Sequence, residues 1–273
     1  MSEPRRGLRH VERAMGTVFS FDVRDDRTAA IESALCAAVA WLHHVDAVFS
    51  TYRPDSAVSR LARGALRLAD CPAEVRDVLA LCERVGRTTD GWFSVTARGT
   101  LDPTGLVKGW AVERAGQLLR AAGAHHTCVN GGGDLQLSGE AAPGLPWRIG
   151  VAHPLRPSTL CTVVTGRDLA VATSGTAERG PHVLDPHTGA PATRLASLTV
   201  VGRSLTLTDA YATAAFAMGP DARDWLTALD GHEGFAVAPD GSTWHTRGFP
   251  GTVPAPRRPD GRTATASRGT RRI

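Results

Sequence analysis

Four stretches of this chain carry residues whose types and spacing suit phosphate chemistry. In TLTDAYATAAFAMG, residues 206–219, Asp209 and Thr213 stand four apart. On a helix that spacing stacks a carboxylate and a hydroxyl on one face, one turn from each other. Two hard oxygens so placed suit Mg²⁺, which takes one or two carboxylates together with substrate phosphates and waters. A helix cap and a self-satisfied threonine have the same spelling. In LDPTGLVKGWAVERA, residues 101–115, a glycine-rich turn runs into a helical pattern opening at Lys108 and Gly109. A helix start with a cation beside it attracts anions. Lys108 is the single lysine among 31 basic residues. A chain that writes arginine everywhere else keeps a compact ammonium here, for an anion or for a structural ion pair.

The other two stretches are loops. NGGGDLQLSG places Asn130, Gly131, Gly132, Gly133 and Asp134 between two strand patterns. Glycines permit positive φ and close backbone approach to a ligand, and the aspartate can accept from a ribose or from its own turn. A plain hairpin turn fits equally. No GxGxxG occurs and a strand follows, which excludes a Rossmann fingerprint. ATSGTAERGPHVLDPHTGAPA ends a strand at Ser174-Gly175 and then presents His182, Asp185 and Thr188. A histidine beside such a loop can take the proton of a hydroxyl nucleophile near neutral pH; a structural histidine is the competing reading. Zinc spacing, a Walker A loop, a GxSxG elbow and the kinase motifs are all missing from the sequence.

The elements that must position these residues alternate in character. Residues 16–24 read as a strand, and Thr28 caps a helix to about Val48. The polar break FSTYRPDS follows, with Ser56 capping a short helix and Pro72 opening another that ends near Arg87. A helix runs from about Lys108 to Ala122, then strands HHTCV and LQLSG. Strands WRIGVAH, LCTVV, LAVATS, HVL and SLTVVG come next, then helices near 208–218 and 221–230 and a hairpin turned at Asp240-Gly241. The pattern predicts one α+β domain over 13–248, of mostly antiparallel strands packed with helices, with a flexible N-terminus at 1–12 and a disordered basic tail at 249–273.

Composition limits the partners. Hydrophobic content of 42% and charge of 21% are ordinary for a globular chain. The net charge of +4 comes from residues 250–273, which carry six arginines against one aspartate, so the rest is at −1 and no nucleic acid is expected as partner. The longest apolar run, residues 34–42, is far short of the roughly 20 needed to cross a bilayer, so no membrane insertion is expected. No signal segment is readable, which places the chain in the cytoplasm. The five cysteines lack CxxC spacing and read as buried thiols.

Taken in order, and with MGT at 15–17 and FSTYRPDSAVSRL at 49–61, these stretches resemble the ApbE family of FAD:protein FMN transferases across roughly residues 13–220. The resemblance implies FAD as substrate and Mg²⁺ as cofactor. It places Asp209, Thr213 and a carbonyl near Gly105 on the metal and has Tyr52 stack on the isoalloxazine. Met15, Ser56, Asp102, Lys108, Asn130 to Asp134, Ser174, Gly175, Asp185 and Thr188 would surround the nucleotide. His182 falls where the HxxDPxTGxP signature begins and would activate an incoming hydroxyl; His182 and Asp209 are the catalytic pair so implied. The partner is then an acceptor flavoprotein carrying a Thr or Ser, which receives FMN through a phosphoester bond while AMP leaves. An FAD pyrophosphatase and a non-catalytic FAD-binding protein are the alternatives. The chain departs from the family pattern at GWFSVTARG (91–99) and at Asp102-Pro103-Thr104-Gly105, and it has no lipobox cysteine.

Overall fold

The computed structural model describes residues 7–177, 180 and 182–252. The chain opens with a hairpin of β1 (Leu8–Ala14) and β2 (Thr17–Val23), turned at Met15 and Gly16 with φ of 50° and 68°. Two successive positive φ values make the primed turn whose twist matches a hairpin. Helix α1 (Ala29–Phe49) follows, with the Thr28 hydroxyl accepting from the Ile31 amide. Next come α2 (Ala57–Ala62) and α3 (Ala73–Thr88), then α4 (Thr104–Ala121), β3 (Thr127–Gly131) and β4 (Asp134–Ser138). The chain continues through β5 (Trp147–Ala152), β6 (Leu160–Gly166), β7 (Ala170–Gly175), β8 (Ser197–Gly202), α5 (Leu205–Met218) and α6 (Ala222–Ala228). It closes with β9 (Glu233–Val237), β10 (Thr243–His245) and β11 (Gly251–Thr252).

Eight strands form one antiparallel sheet in the order β1-β2-β3-β4-β7-β8-β9-β10, and β11-β6-β5 form a second. Helices α1, α4 and α5 pack on the large sheet, their buried Leu35, Leu42, Leu106, Leu119, Leu205 and Phe216 joining Phe19, Phe21, Leu198 and Val200 in one core. Helix α5 is buried nearly all round, Ala-rich on the faces that meet its neighbours. An all-round apolar helix belongs in a core. The fold is α+β with antiparallel strands, as the sequence predicts.

Four local expectations are corrected. Leu8 to Glu12, inside the segment 1–12 read as flexible, belong to β1 and pair with β2 residue for residue. The exposed Arg9, Val11 and Arg13 of β1 alternate with half-buried partners, and such charged alternation is how an edge strand looks. Gly251 and Thr252, inside the tail read as disordered from 249, pair with Val164 and Val163. The tail beyond Thr252 lies outside the described residues. HVL is no strand of the sheets: Leu184 makes a single bridge to Pro191. Helix α4 starts at Thr104, a full turn before Lys108. There Asp102 accepts from the Thr104 amide at 3.0 Å and its hydroxyl at 2.6 Å, supplying the start that Pro-Thr-Gly disguises as a turn.

Candidate functional site

Lys108 stands in the second turn of α4 and reaches two buried carboxylates. Its Nζ donates to Asp134 Oδ2, at the first residue of β4, and to Asp209 Oδ2 on α5 at 2.8 Å. The carboxylates are 4% and 5% exposed. Burying a carboxylate costs several kcal/mol unless it is paired and hydrogen-bonded. Here Asp209 Oδ2 also accepts from the Gly109 amide at 3.0 Å, and Asp134 Oδ1 accepts from the Thr173 amide at 2.8 Å. One ammonium between two carboxylates leaves a net charge of −1 in the cluster.

Gly109 makes this contact possible. A Cβ there would lie 2.5 Å from the Leu205 carbonyl oxygen and 2.8 Å from Asp209 Cβ. Only a bare Cα lets the α4 backbone touch α5 closely enough for its amide to reach the carboxylate. In a regular helix the Gly109 N–H would donate to the Gly105 carbonyl; here it donates to the Asp209 carboxylate at 3.0 Å.

One turn further along α5, Thr213 faces Gly105: a Cβ on Gly105 would sit 3.6 Å from Thr213 Oγ1 and 3.3 Å from the Phe93 ring. Other helical threonines bond back to their i−4 carbonyls, Thr208 to Ser204 and Thr227 to Arg223, each at 2.7 Å. Neither the Thr213 hydroxyl nor Asp209 Oδ1 takes part in a hydrogen bond among the described residues. An oxygen-rich corner with an uncommitted carboxylate oxygen, an uncommitted hydroxyl and a net negative charge fits a hard divalent cation. Among the described residues no three His, Cys, Asp or Glu side chains gather into a closed cage, so such a cation would rely on hydroxyl, carbonyl and substrate oxygens beside Asp209.

The glycine cluster is a hairpin turn. Gly132 and Gly133 have φ of 60° and 97°, and Gly131 pairs with Asp134. Asn130 Oδ1 accepts from the Gly133 amide at 2.9 Å, so its side chain serves its own turn. Gly131 is buried, where a Cβ would strike Val112 and Phe19 at 2.6 and 2.7 Å, and it faces no ligand. Asp134 accepts from Lys108 and from the Thr173 amide. The turn nonetheless sits beside the other sheet turn: the Gly132 amide donates to the Val18 carbonyl at 3.0 Å, just after Met15, Gly16 and Thr17. Both turns end at the side of the sheet where Lys108 lies.

Ser56 is 1% exposed; its hydroxyl caps α2 through the Ser59 amide at 2.9 Å and donates to the Ser50 carbonyl at 2.7 Å. These bonds hold the preceding loop. Tyr52 on that loop is 95% exposed, an unsupported ring facing solvent. Ser174 and Gly175 end β7, half-buried, paired with Leu198 and Ser197.

The His182 loop folds onto residues 91–98. Arg98 donates to the His182 carbonyl, and the His187 ring meets Trp92 edge-on at 4.5 Å. His182 Nδ1 lies 3.0 Å from the Gly180 carbonyl oxygen. A carbonyl only accepts, so Nδ1 carries the hydrogen in that bond; in the neutral ring this leaves the lone pair on Nε2. Asp185 accepts from the His187 amide at 2.9 Å. Burial pushes its carboxyl up, but hydrogen bonds from His187 and Thr188 outweigh it and hold the group below the usual carboxylate value. The 91–105 segment thus joins the loop to the corner of Asp209 and Thr213: Arg98 touches His182, Asp102 starts α4, and Phe93 packs against Gly105.

Sequence reasoning missed two residues. Glu113, on α4, accepts from the Ser204 hydroxyl at 2.7 Å and from the Thr206 amide and hydroxyl at 2.9 and 2.6 Å. Gln136, on β4, accepts from the Leu205 amide at 3.0 Å and donates to the Arg203 carbonyl at 3.2 Å. Their spacing, four residues after Gly109 and two after Asp134, is the only sequence signal either carries.

The chain matches the model of the ApbE family over residues 15–100 and 96–236. A FAD:protein FMN transferase of Vibrio cholerae serotype O1 is 31% identical over 131 residues, which are 44% of this chain and 39% of that protein. The one from Rhodobacter capsulatus is 28% identical over 194 residues, 68% of this chain and 34% of that protein. The chain therefore spans well under half the length of these two relatives. The solved structure of the flavin transferase ApbE from Vibrio cholerae superposes with a TM-score of 0.78 at 21% identity, over 90% of this chain and 99% of that one. With the family model covering most of the described residues and the fold shared over 90% of the chain, the chain belongs to the ApbE family.

Proposed function

We propose that this chain is a Mg²⁺-dependent FAD:protein FMN transferase, which moves FMN from FAD to a Thr or Ser hydroxyl of an acceptor flavoprotein and releases AMP. The observation that carries the reading is the corner of Asp209, Thr213 and Gly105 beside Lys108, two hard oxygens without hydrogen bonds among the described residues, next to a single half-buried ammonium. The names of the relatives support the same chemistry.

Asp209 Oδ1, Thr213 Oγ1 and the Gly105 carbonyl would hold the cation. Magnesium held there would supply positive charge beside substrate phosphates and lower the cost of expelling a phosphate leaving group. Lys108 holds Asp209 in place through its 2.8 Å bond, and its remaining donor capacity would meet phosphate oxygens. Tyr52 offers a ring face to the isoalloxazine. His182 Nε2 accepts the proton of the acceptor hydroxyl; the oxygen then bonds to the FMN phosphorus, the P–O bond to AMP breaks, and AMP leaves with that electron pair. Phosphoryl transfer of this kind asks little of the protein beyond positioning and charge.

The test incubates the chain with FAD, Mg²⁺ and a flavoprotein encoded beside it. Flavin fluorescence that survives SDS on the acceptor, with one AMP released per flavin attached, is expected, and Asp209→Asn abolishes both. Free FMN without labelled protein would replace the reading with a hydrolase; intact FAD would replace it with a binding protein.

A further inference from the structure

We infer that Glu113, assisted by Gln136, is a positioning residue for the Asp209 and Thr213 cation corner, an inference that rests on the reading above. Three elements meet there in two tiers. The upper tier is Gly109 on α4, Asp134 on β4 and Asp209 on α5, tied together directly or through Lys108. The lower tier is Glu113 on α4, Gln136 on β4 and the start of α5 at Ser204 to Thr206. Each element connects its tiers by a same-face step: four residues on α4 from 109 to 113, two on β4 from 134 to 136, four on α5 from 205 to 209. The lower tier therefore repeats the geometry of the upper one, a helix turn away from the cation corner.

The start of α5 depends on this arrangement. Ser204 stands at the N-cap but its side chain caps nothing of its own helix; it donates to Glu113 instead. The free Leu205 and Thr206 amides, which a helix start leaves without partners, are taken by Gln136 and Glu113. A carboxylate at that end also opposes the positive pole of the helix. With both amides held from two other elements, α5 can neither rotate nor slide without breaking a charge-assisted bond, and its rotation is what aims Asp209 and Thr213. Outer residues that orient metal ligands typically tune metal affinity by about 10–100-fold.

The experiment titrates Mn²⁺ by EPR into the wild-type chain, Glu113→Ala, Glu113→Gln and Gln136→Met, each with FAD present, alongside thermal melts. The expected result is a Mn²⁺ dissociation constant about tenfold weaker in Glu113→Ala. Glu113→Gln, which keeps an acceptor oxygen, should recover most of that loss. Gln136→Met touches only the Leu205 amide and the Arg203 carbonyl; it is expected to weaken Mn²⁺ in the same direction and carries the test alone if Glu113→Ala does not fold. Wild-type Mn²⁺ affinity in folded Glu113→Ala or Gln136→Met, whatever their melting points, would overturn the positioning role. Failure of the wild-type chain itself to bind Mn²⁺ would overturn the cation corner first and the positioning role with it.

Discussion

Replacing Gly109 by alanine separates stability from activity in a way the structure lets one calculate. The added Cβ would fall 2.5 Å from the Leu205 oxygen and 2.8 Å from Asp209 Cβ, where ordinary contact begins at 3.4 Å. The shortfalls of 0.9 and 0.6 Å fall on backbone and on a Cβ, neither of which can swing aside, so α5 itself must shift by that order. Alanine gains about 1 kcal/mol over glycine inside a helix, while overpacking costs about 1–3 kcal/mol. The net change is therefore about 0–2 kcal/mol destabilising, a melting point lowered by at most about 8 °C at about 2–4 °C per kcal/mol. Activity responds more strongly, since a catalytic group misplaced by about 1 Å costs on the order of 10²-fold. Gly116, two turns along the same helix, is the control: a Cβ there meets Gln136 and Val129 at 3.8 and 3.9 Å. Gly116→Ala should gain about 1 kcal/mol and leave transfer unchanged. Initial rates of FMN transfer at saturating Mg²⁺, with melting curves on the same samples, decide the matter. Transfer within threefold of wild type in Gly109→Ala, or an equal loss in Gly116→Ala, would refute the close approach as the device that sets Asp209.

Three further substitutions probe other parts of the site. Thr213→Val keeps the shape and removes a hydroxyl that no described residue uses, so the Mg²⁺ concentration for half-maximal transfer should rise at least about tenfold while the melting point stays put; an unchanged metal requirement counts against Thr213 as a ligand. Tyr52→Ala removes a 95% exposed ring, so it should leave the melting curve unaltered and raise KM for FAD about 3–10-fold, the worth of one aromatic contact; an unmoved KM shows that the ring does not stack on flavin. His232 packs edge-on against Tyr211 at 4.9 Å, and burial holds its imidazole below the usual histidine value against a smaller upward pull from the Asp230 carbonyl. The unfolded chain then takes up the proton first, so the wild-type chain loses stability as pH falls from about 7 through the folded value. His232→Phe should flatten that slope in urea unfolding at pH 8 and pH 5; equal slopes would contradict it.

What the sequence made legible was local. Thr28 announces α1, Asp240-Gly241 announces its hairpin, and Asp209 with Thr213 can be read as a same-face pair because helical spacing alone fixes it. Lys108 was legible by composition, as the lone ammonium, although its place in the helix was not. The start of α4 was hidden because Asp-Pro-Thr-Gly spells a turn, and only the Asp102 to Thr104 bonds and the Phe93 and Thr213 contacts around Gly105 reveal why a helix begins there. Strand β1 was hidden because an edge strand carries charge where a central one would not. The bonds of Asp134 to Lys108 and the Thr173 amide were hidden because these partners lie 26 and 39 residues away. Glu113 and Gln136 were invisible for the same reason: their work is done across 67 to 93 residues, and no spacing rule reaches that far.

The most direct test of the cation corner is anomalous diffraction from crystals of this chain soaked with Mn²⁺ and FAD. A peak within bonding distance of Asp209 Oδ1 and Thr213 Oγ1, touching the pyrophosphate of the nucleotide, is the predicted result. A Mn²⁺ peak elsewhere, or a nucleotide bound away from Lys108 with this corner left dry, would contradict it.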